Sequence, residues 1–360
     1  MFAKKKLVAA AALLALAGAA QAEVKLYGMV DMSVGSFENA HAKGASDRVT
    51  AIESGKMMTS YFGIAGSEDL GGGLKAEFVL ESFIGADAGK TLGNNAGGFW
   101  GRGSFVALSG GFGKVAVGQY DNALFISGLS YNPFGSSMTF SPTMRHYYGL
   151  AGNYGAALGI DTGWVNSVTY ETPTVGGFMA SAQYSPKESK NVDGSSNSYT
   201  LAASYNAGPL SAMLTYANIG YTDAAYAAYV ADQKVWALGA SYDFGVAKAF
   251  LQYTDIKSDA SLSISGTPPV ASVTDEDGAK AKIYQVGVSV PLSDKASVMA
   301  SYGRLKDKED NSSDKVLSIG YNYVLSKRTD VYGVFTNNSQ SGTGNTKSGQ
   351  TFAVGLRHNF

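Results

Sequence analysis

Beyond residue 22 the chain alternates between apolar and polar side chains with few interruptions. Its last ten residues, TFAVGLRHNF, place Phe352, Val354, Leu356, His358 and Phe360 on one face. Thr351, Ala353, Gly355, Arg357 and Asn359 fall on the other. A period of two is a β-strand whose faces meet different surroundings. Tyr199, Leu201, Ala203 and Tyr205 oppose Thr200, Ala202 and Ser204 in the same way, and Leu317, Ile319, Tyr321 and Tyr323 oppose Val316, Ser318, Gly320 and Asn322. In LKAEFVLES one parity carries charge: Lys75, Glu77 and Glu81 share a face, with Leu74, Ala76, Phe78 and Leu80 behind it. Such a face must meet water, because burying an unpaired ion costs several kcal/mol. The opening strand repeats the division, with Lys25, Tyr27, Asp31 and Ser33 against Val24, Leu26, Val30 and Val34.

Seven short turns rich in Gly, Pro, Asn, Asp or Ser punctuate these segments, beginning at Ser67, Leu108, Thr172, Tyr205, Tyr242, Val290 and Val324. Each joins two strands, and one further strand opens and another closes the chain, which makes sixteen. An even count suits a single-chain bacterial barrel. Longer polar segments separate the hairpins, approximately over 36–56, 85–98, 121–162, 187–197, 219–232, 257–280, 305–314 and 337–348. Short periplasmic turns and long external loops are the asymmetry of an outer-membrane barrel. TDAAYAAYVAD from Thr222 reads as a surface loop with room for a helical turn, and 261–280 as a flexible loop. The expected fold is all-β, a 16-stranded antiparallel transmembrane β-barrel forming a single domain over 23–360. A soluble sandwich also alternates, but it turns its apolar face inward. The length as one unit, the absence of cysteine and the aromatic last strand favour the barrel.

Composition agrees. Of 360 residues, 45 are Gly and 22 Tyr, and 45% are hydrophobic but only 16% charged. No apolar run past residue 22 reaches the about 20 residues a spanning helix needs, so the apolar material is interleaved with polar residues. Residues 1–22 read as a cleaved secretory signal, with Lys4, Lys5 and Lys6, an apolar run from Leu7, and Ala20-Gln21-Ala22 before the expected mature start at Glu23. An exported fold here must stand without disulfides. Three of the 28 basic residues lie in that leader, against 29 acidic ones in the chain, and nothing in the balance points to nucleic acid.

Catalytic signatures are weak, and no cofactor, metal site or enzymatic activity is expected. His41, His146 and His358 are far apart and lack metal-ligand spacing. GSEDLGGGL lacks the pattern of a phosphate loop and leads into a strand rather than a helix. Glu77 and Glu81 could approximate the spacing of about 5–10 Å between glycosidase carboxylates; charges along a water-filled pore explain them more simply. The segment 121–162 is the longest without a clear strand pair and is rich in Phe, Tyr, Leu and Met. Loops of that length in compact architectures are usually functional. Its apolar content predicts insertion into the barrel, whose lumen is too wide at about sixteen strands for side chains to fill. Such a constriction loop would set the aperture.

These residues resemble the trimeric general porins of Gram-negative outer membranes, in particular the β-proteobacterial branch. The resemblance is carried in order by EVKLYGMVD from Glu23, FGIAGSEDLGGGLKAEFVLES from Phe62, FVALSGGFGKVAVGQ from Phe105 and NPFG from Asn132. NSVTYETPTVGGF from Asn166, LSKRTDVY from Leu325 and GLRHNF from Gly355 complete it. It implies an outer-membrane homotrimer for passive diffusion of small hydrophilic solutes and ions. It also implies membrane lipid and lipopolysaccharide as surroundings, and a terminal strand, with Leu356, His358 and Phe360, read by the outer-membrane insertion machinery. Where the family often carries Arg, this chain has Tyr61, Gln119 and the run Gly163-Trp164-Val165, so three pore-wall charges are missing. The candidate pore-lining and constriction residues are Lys25, Asp31, Tyr61, Lys75, Glu77, Glu81, Arg102, Gln119, Asp121, Arg145 and Glu171, with Lys248 as a further base. Simple alternation puts Gln119 on the face of Val115 and Val117, so a lumen position for it requires a bulge near Gly118. The alternative is a solute-specific channel in which Tyr131, Phe134, Phe140, Tyr147 and Tyr148 form a docking track for a sugar or aromatic ring.

Overall fold

Alternating segments resolve into sixteen strands that hydrogen-bond in sequence order and close on themselves. The computed structural model describes residues 23–42, 48–92, 98–148, 162–186, 197–220, 232–258, 261–265, 270–275, 280–308, 312–342 and 346–360. The first eight strands are β1 (Glu23–Phe37), β2 in two pieces (Val49–Ser54 and Tyr61–Gly71), β3 (Leu74–Gly85), β4 (Gly103–Gly110), β5 (Gly113–Asp121), β6 (Gly163–Glu171), β7 (Phe178–Ser185) and β8 (Ser198–Ala207). The rest are β9 (Leu210–Ile219), β10 (Gln233–Asp243), β11 (Lys248–Ser258), β12 (Lys280–Pro291), β13 (Ala296–Asp307), β14 (Ser313–Ser326), β15 (Thr329–Ser341) and β16 (Gly349–Asn359). β1 pairs with both pieces of β2, Lys25 opposite Ala65 and Val34 opposite Ile52, and on its other edge with β16, Asp31 opposite Arg357. All seven expected hairpin turns join consecutive strands, and closure leaves no sheet edge for lipid to meet.

The two faces differ as a membrane barrel requires. On β8 and β10 the outward Leu201 and Trp236 are 54% and 51% exposed, while the inward Thr200 and Val235 are 2% and 0% exposed. Large apolar side chains are likewise exposed from Val24 and Leu26 on β1 to Phe352, Val354 and Leu356 on β16. Outside a membrane this belt would be a severe liability; in hydrocarbon it is the required surface.

The interior is not uniformly polar. Two helices between β5 and β6, α1 (Ala123–Ser130) and α2 (Pro142–Tyr148), pack against the inner wall of β8 to β14. Leu124 and Tyr147 join Val235, Ala237, Ile256 and Ile283 in one apolar cluster, and Phe134 and Phe140 join Met299, Tyr332 and Val334 in another. One side of the lumen is therefore filled, and the opposite side, along β1 to β7, stays open and polar.

Three readings are corrected or left aside. Residues 261–280 contain a short ladder, Ser261–Ser265 with Val270–Asp275, where the composition suggested a flexible loop. Alternating Val, Ile and Ser supply it with strand formers. The leader at 1–22 and most of TDAAYAAYVAD lie outside the described residues.

Candidate functional site

The segment after β5 is held by its own caps before it meets the wall. Asn122 starts α1, its side-chain oxygen accepting the Phe125 amide at 2.9 Å while its Nδ2 donates to Thr162 O at 2.7 Å. An Asn at this position satisfies one of the orphan amides of the first turn. Asn132 folds the NPFG turn onto itself, donating to Gly128 O at 2.6 Å and accepting from the Phe134 amide at 2.8 Å.

Docking on the wall combines rings seated on glycines with buried hydrogen bonds. A Cβ at Gly239 on β10 would lie 2.1 Å from Cδ2 of Tyr131, and one at Gly303 on β13 would lie 2.3 Å from Pro142 Cβ. Gly287 receives Pro133 and Gly320 receives Phe134 in the same manner. Gln252 donates to Gly128 O at 3.0 Å, and Gln285 accepts the Thr143 amide at 2.8 Å. The Tyr147 hydroxyl meets Thr254 Oγ1 at 2.5 Å, and burial pushes its pKa up to about 12. His146 Nε2 lies 3.0 Å from Asp314 Oδ1, and Asp314 also accepts twice from Asn338 at 2.9 Å. Burial also raises the Tyr131 hydroxyl above its ordinary range. Each fully buried apolar side chain of the segment contributes on the order of 1.5–3 kcal/mol relative to exposure.

That geometry removes the proposed docking track. Tyr131 and Phe134 are 3% exposed, and Phe140 and Tyr147 are fully buried, so four of the five rings face the wall instead of the passage.

The open side is a cavity of about 350 Å³ bordered by Tyr27, Glu81, Arg102, Gln119, Tyr120, Asp121 and Glu171, with Ile126 of α1 across from them. Two of its four charged side chains face each other, and a second ion pair stands on the neighbouring wall. Arg102 is ion-paired with Glu81, and its guanidinium lies 4.0 Å from the Tyr61 ring centroid. Tyr27 donates to the other oxygen of Glu81 at 2.6 Å. Lys114 pairs with Glu77 at 3.1 Å, and Tyr120 donates to Glu171 at 3.0 Å. Glu77 and Glu81 thus face separate cations, not a common reacting centre. Gln119 borders the cavity and donates to Gly101 O at 2.6 Å. The β5–β6 register shifts between Gly118 and Tyr120, with Gly118 at φ +131° and Asn166 at φ 51°, so a bulge sits where alternation required one.

Other candidates lie elsewhere. Lys25 pairs with Glu23 at 3.2 Å at the turn end of β1, Lys75 is exposed on the inner face of β3, and Lys248 lies 5.3 Å from the Phe250 ring centroid. Arg145 on α2 donates to Asn39 at 2.6 Å. Asp31 is on the inner face but fully buried: it accepts from the Met57 and Met58 amides at 2.7 and 2.9 Å and from Tyr332 at 2.7 Å. It holds the break in β2 and does not line the passage. His358 meets Thr329 at 2.9 Å, and Leu356 and Phe360 face outward, with Phe360 bonded through its backbone to Gly28. Sequence reasoning missed Lys114, although its parity with Ala116 on β5 would have placed it, and missed the wall glycines, for which no local signal exists. Among the described residues no three His, Asp or Glu side chains come together as a metal site.

A family profile described as Gram-negative porin matches residues 9–343. The chain is 34% identical to outer membrane porin protein 32 of Delftia acidovorans over 382 positions, covering 99% of this chain and 100% of that one. An outer membrane porin of Bordetella pertussis is 30% identical, with 99% and 100% covered. Among solved structures, the anion-selective porin from Comamonas acidovorans aligns with a TM-score of 0.75 at 30% identity, covering 94% of this chain and 100% of that one.

Proposed function

The chain belongs to the Gram-negative porin family, and from that premise we propose that its passage is a weakly selective one whose wall charges largely cancel in pairs. It is an outer-membrane porin, a water-filled barrel through which small hydrophilic solutes and ions diffuse passively. Aperture and local field set the rate, and no chemical step is involved. The observation that carries the proposal is the Arg102–Glu81 contact, reinforced by Lys114 with Glu77. A guanidinium beside a carboxylate and a tyrosine face offers passing anions much less than a bare one does. The related Comamonas porin is anion-selective; this chain carries Tyr61 and Gln119 where the family pattern often has Arg, so its preference is expected to be smaller.

Assembly as a homotrimer is part of the same reading. It is supported by an apolar recess of about 680 Å³ on the outer wall at the barrel seam, bordered by Met32, Val34, Ile52, Val354 and Leu356. The outward Leu356, His358 and Phe360 are the features we assign to recognition by the insertion machinery.

Reversal potentials across a planar bilayer under a KCl gradient test the selectivity. Values near zero that shrink further from 0.1 to 1 M salt are expected, since the screening length falls from about 10 to about 3 Å. A strong preference for either sign at 1 M would contradict it.

A further inference from the structure

The inner wall of β6 to β8 carries a polar shelf that the ion pairs of the passage do not use. Thr169 and Glu171 share the inner face of β6, and Gln183 and Ser181 stand directly opposite them on β7. Thr200 of β8 stands opposite Gln183 in turn. All five border the open cavity. Thr169 is 4% exposed, and its hydroxyl, the one polar group of the side chain, meets no partner. Gln183, also 4% exposed, donates through Nε2 to the Tyr120 carbonyl and to Ser167 Oγ, both at 3.1 Å. A carbonyl only accepts, so these bonds fix which way round the amide lies and leave its Oε1 without a donor.

A buried polar atom without a partner costs free energy, so an occupant of this shelf must bring hydrogen-bond donors. Glu171 sets its charge. Among the described residues the one side-chain partner of Glu171 is the Tyr120 hydroxyl at 3.0 Å, which donates a hydrogen bond but brings no positive charge. Lys114 stands opposite Glu171 across β5 and β6, but its ammonium lies 3.1 Å from Glu77. Arg102 is taken by Glu81. A carboxylate here repels an anion, and a neutral hydroxyl would serve the two oxygens without meeting its charge.

A primary ammonium group has three N–H donors and no acceptor, which suits Thr169 Oγ1, Gln183 Oε1 and the Glu171 carboxylate together. Opposite residues of neighbouring strands lie about 5 Å apart, a span that one nitrogen bridges with bonds of about 2.9 Å. The same cavity is bordered by Met179 of β7, Met213 of β9 and Ile126 of α1, the last 37% exposed. Its volume of about 350 Å³ is that of a small-molecule site. We propose that this shelf is a subsite for a primary ammonium solute with a small apolar body, its nitrogen on Thr169, Gln183 and Glu171 and its carbon skeleton against Met179, Met213 and Ile126. Selection by hydrogen bonding is thereby added to a passage that is weakly selective by charge. The proposal deepens the porin reading and rests on it for the entry of the solute.

The test uses full-length protein refolded in neutral detergent, with weak binding read by saturation-transfer difference NMR and protein-free micelles as the blank. Three probes share one skeleton: butylammonium, butyltrimethylammonium, which keeps the charge but has no N–H, and neutral butanol. Wild type should bind butylammonium about tenfold more tightly than either of the others, the margin of charge-assisted hydrogen bonds over none. Thr169→Val removes the hydroxyl at constant shape and Glu171→Gln removes the charge; each should lose most of that margin, and Thr169→Ser should retain it. Circular dichroism and heat-modifiable electrophoretic migration certify the barrel in every variant. Equal binding of the primary and quaternary ammonium by wild type would overturn the proposal, as would discrimination unchanged in both Thr169→Val and Glu171→Gln. Butanol bound as tightly as butylammonium would also overturn it and mark a site for neutral hydroxyls. Conductance in potassium chloride alone is recorded on the same wild-type protein. Conduction without the amine preference counts against this proposal alone, and the preference without conduction counts against the porin reading alone.

Discussion

Glu81 is the residue on which the electrostatics of the passage turn. It neutralises Arg102, accepts from Tyr27 and stands at the rim of the open cavity. Replacing it by Gln keeps the shape and removes the charge. A unit charge at about 4 Å is worth about 1 kcal/mol in water, so the ratio of anion to cation permeability should rise roughly fivefold in Glu81→Gln, read as a shift in reversal potential at 0.1 M salt. An unchanged ratio would mean that another group controls the passage. At this scale the sequence was half legible. Alternation placed Lys75, Glu77 and Glu81 on the inner face, and the family pattern singled out Tyr61 and Gln119. It could not show that Asp31 is fully buried, because its partners are two backbone amides in the β2 break and the hydroxyl of Tyr332, far along the chain.

Among the elements, the inserted segment decides the aperture. Gly239 has no room for a methyl group beside the Tyr131 ring. Gly239→Ala should lift that ring toward the passage, lower single-channel conductance and cost about 1–3 kcal/mol, as overpacking does. Conductance equal to wild type would show that the segment does not limit flow. Tyr147 supplies a pH signature. An undocked phenol ionises near 10, whereas the docked one is pushed up to about 12. Its folded value is raised, so its contribution to docking is complete below about pH 10 and is lost as pH rises through about 12. Alkaline absorbance titration should show one tyrosine fewer ionising near pH 12 in Tyr147→Phe, and that variant should lose the high-pH onset of current noise. The length and aromatic content of 121–162 announced an insertion. They did not announce its seating, because the wall glycines that receive the rings come from four different strands and their contacts exist only once the barrel has closed.

For the whole molecule, the turns and the period-two pattern were enough to count the strands and to assign their faces, since one register error would have turned every apolar side chain inward. What stayed hidden was the asymmetry of the lumen, dry on the side of β8 to β14 and open along β1 to β7. That division depends on which wall the segment leans against, a long-range choice with no local code.

The central claim is that neighbouring residues of one strand meet water and hydrocarbon in turn. The chain has no cysteine, so single cysteines can be placed in turn at Lys75, Ala76, Glu77, Phe78 and Val79 of β3 and exposed in proteoliposomes to a charged, membrane-impermeant thiol reagent. Fast labelling at 75, 77 and 79 with protection at 76 and 78 is the predicted result. Uniform labelling, or the inverse pattern, would contradict the account.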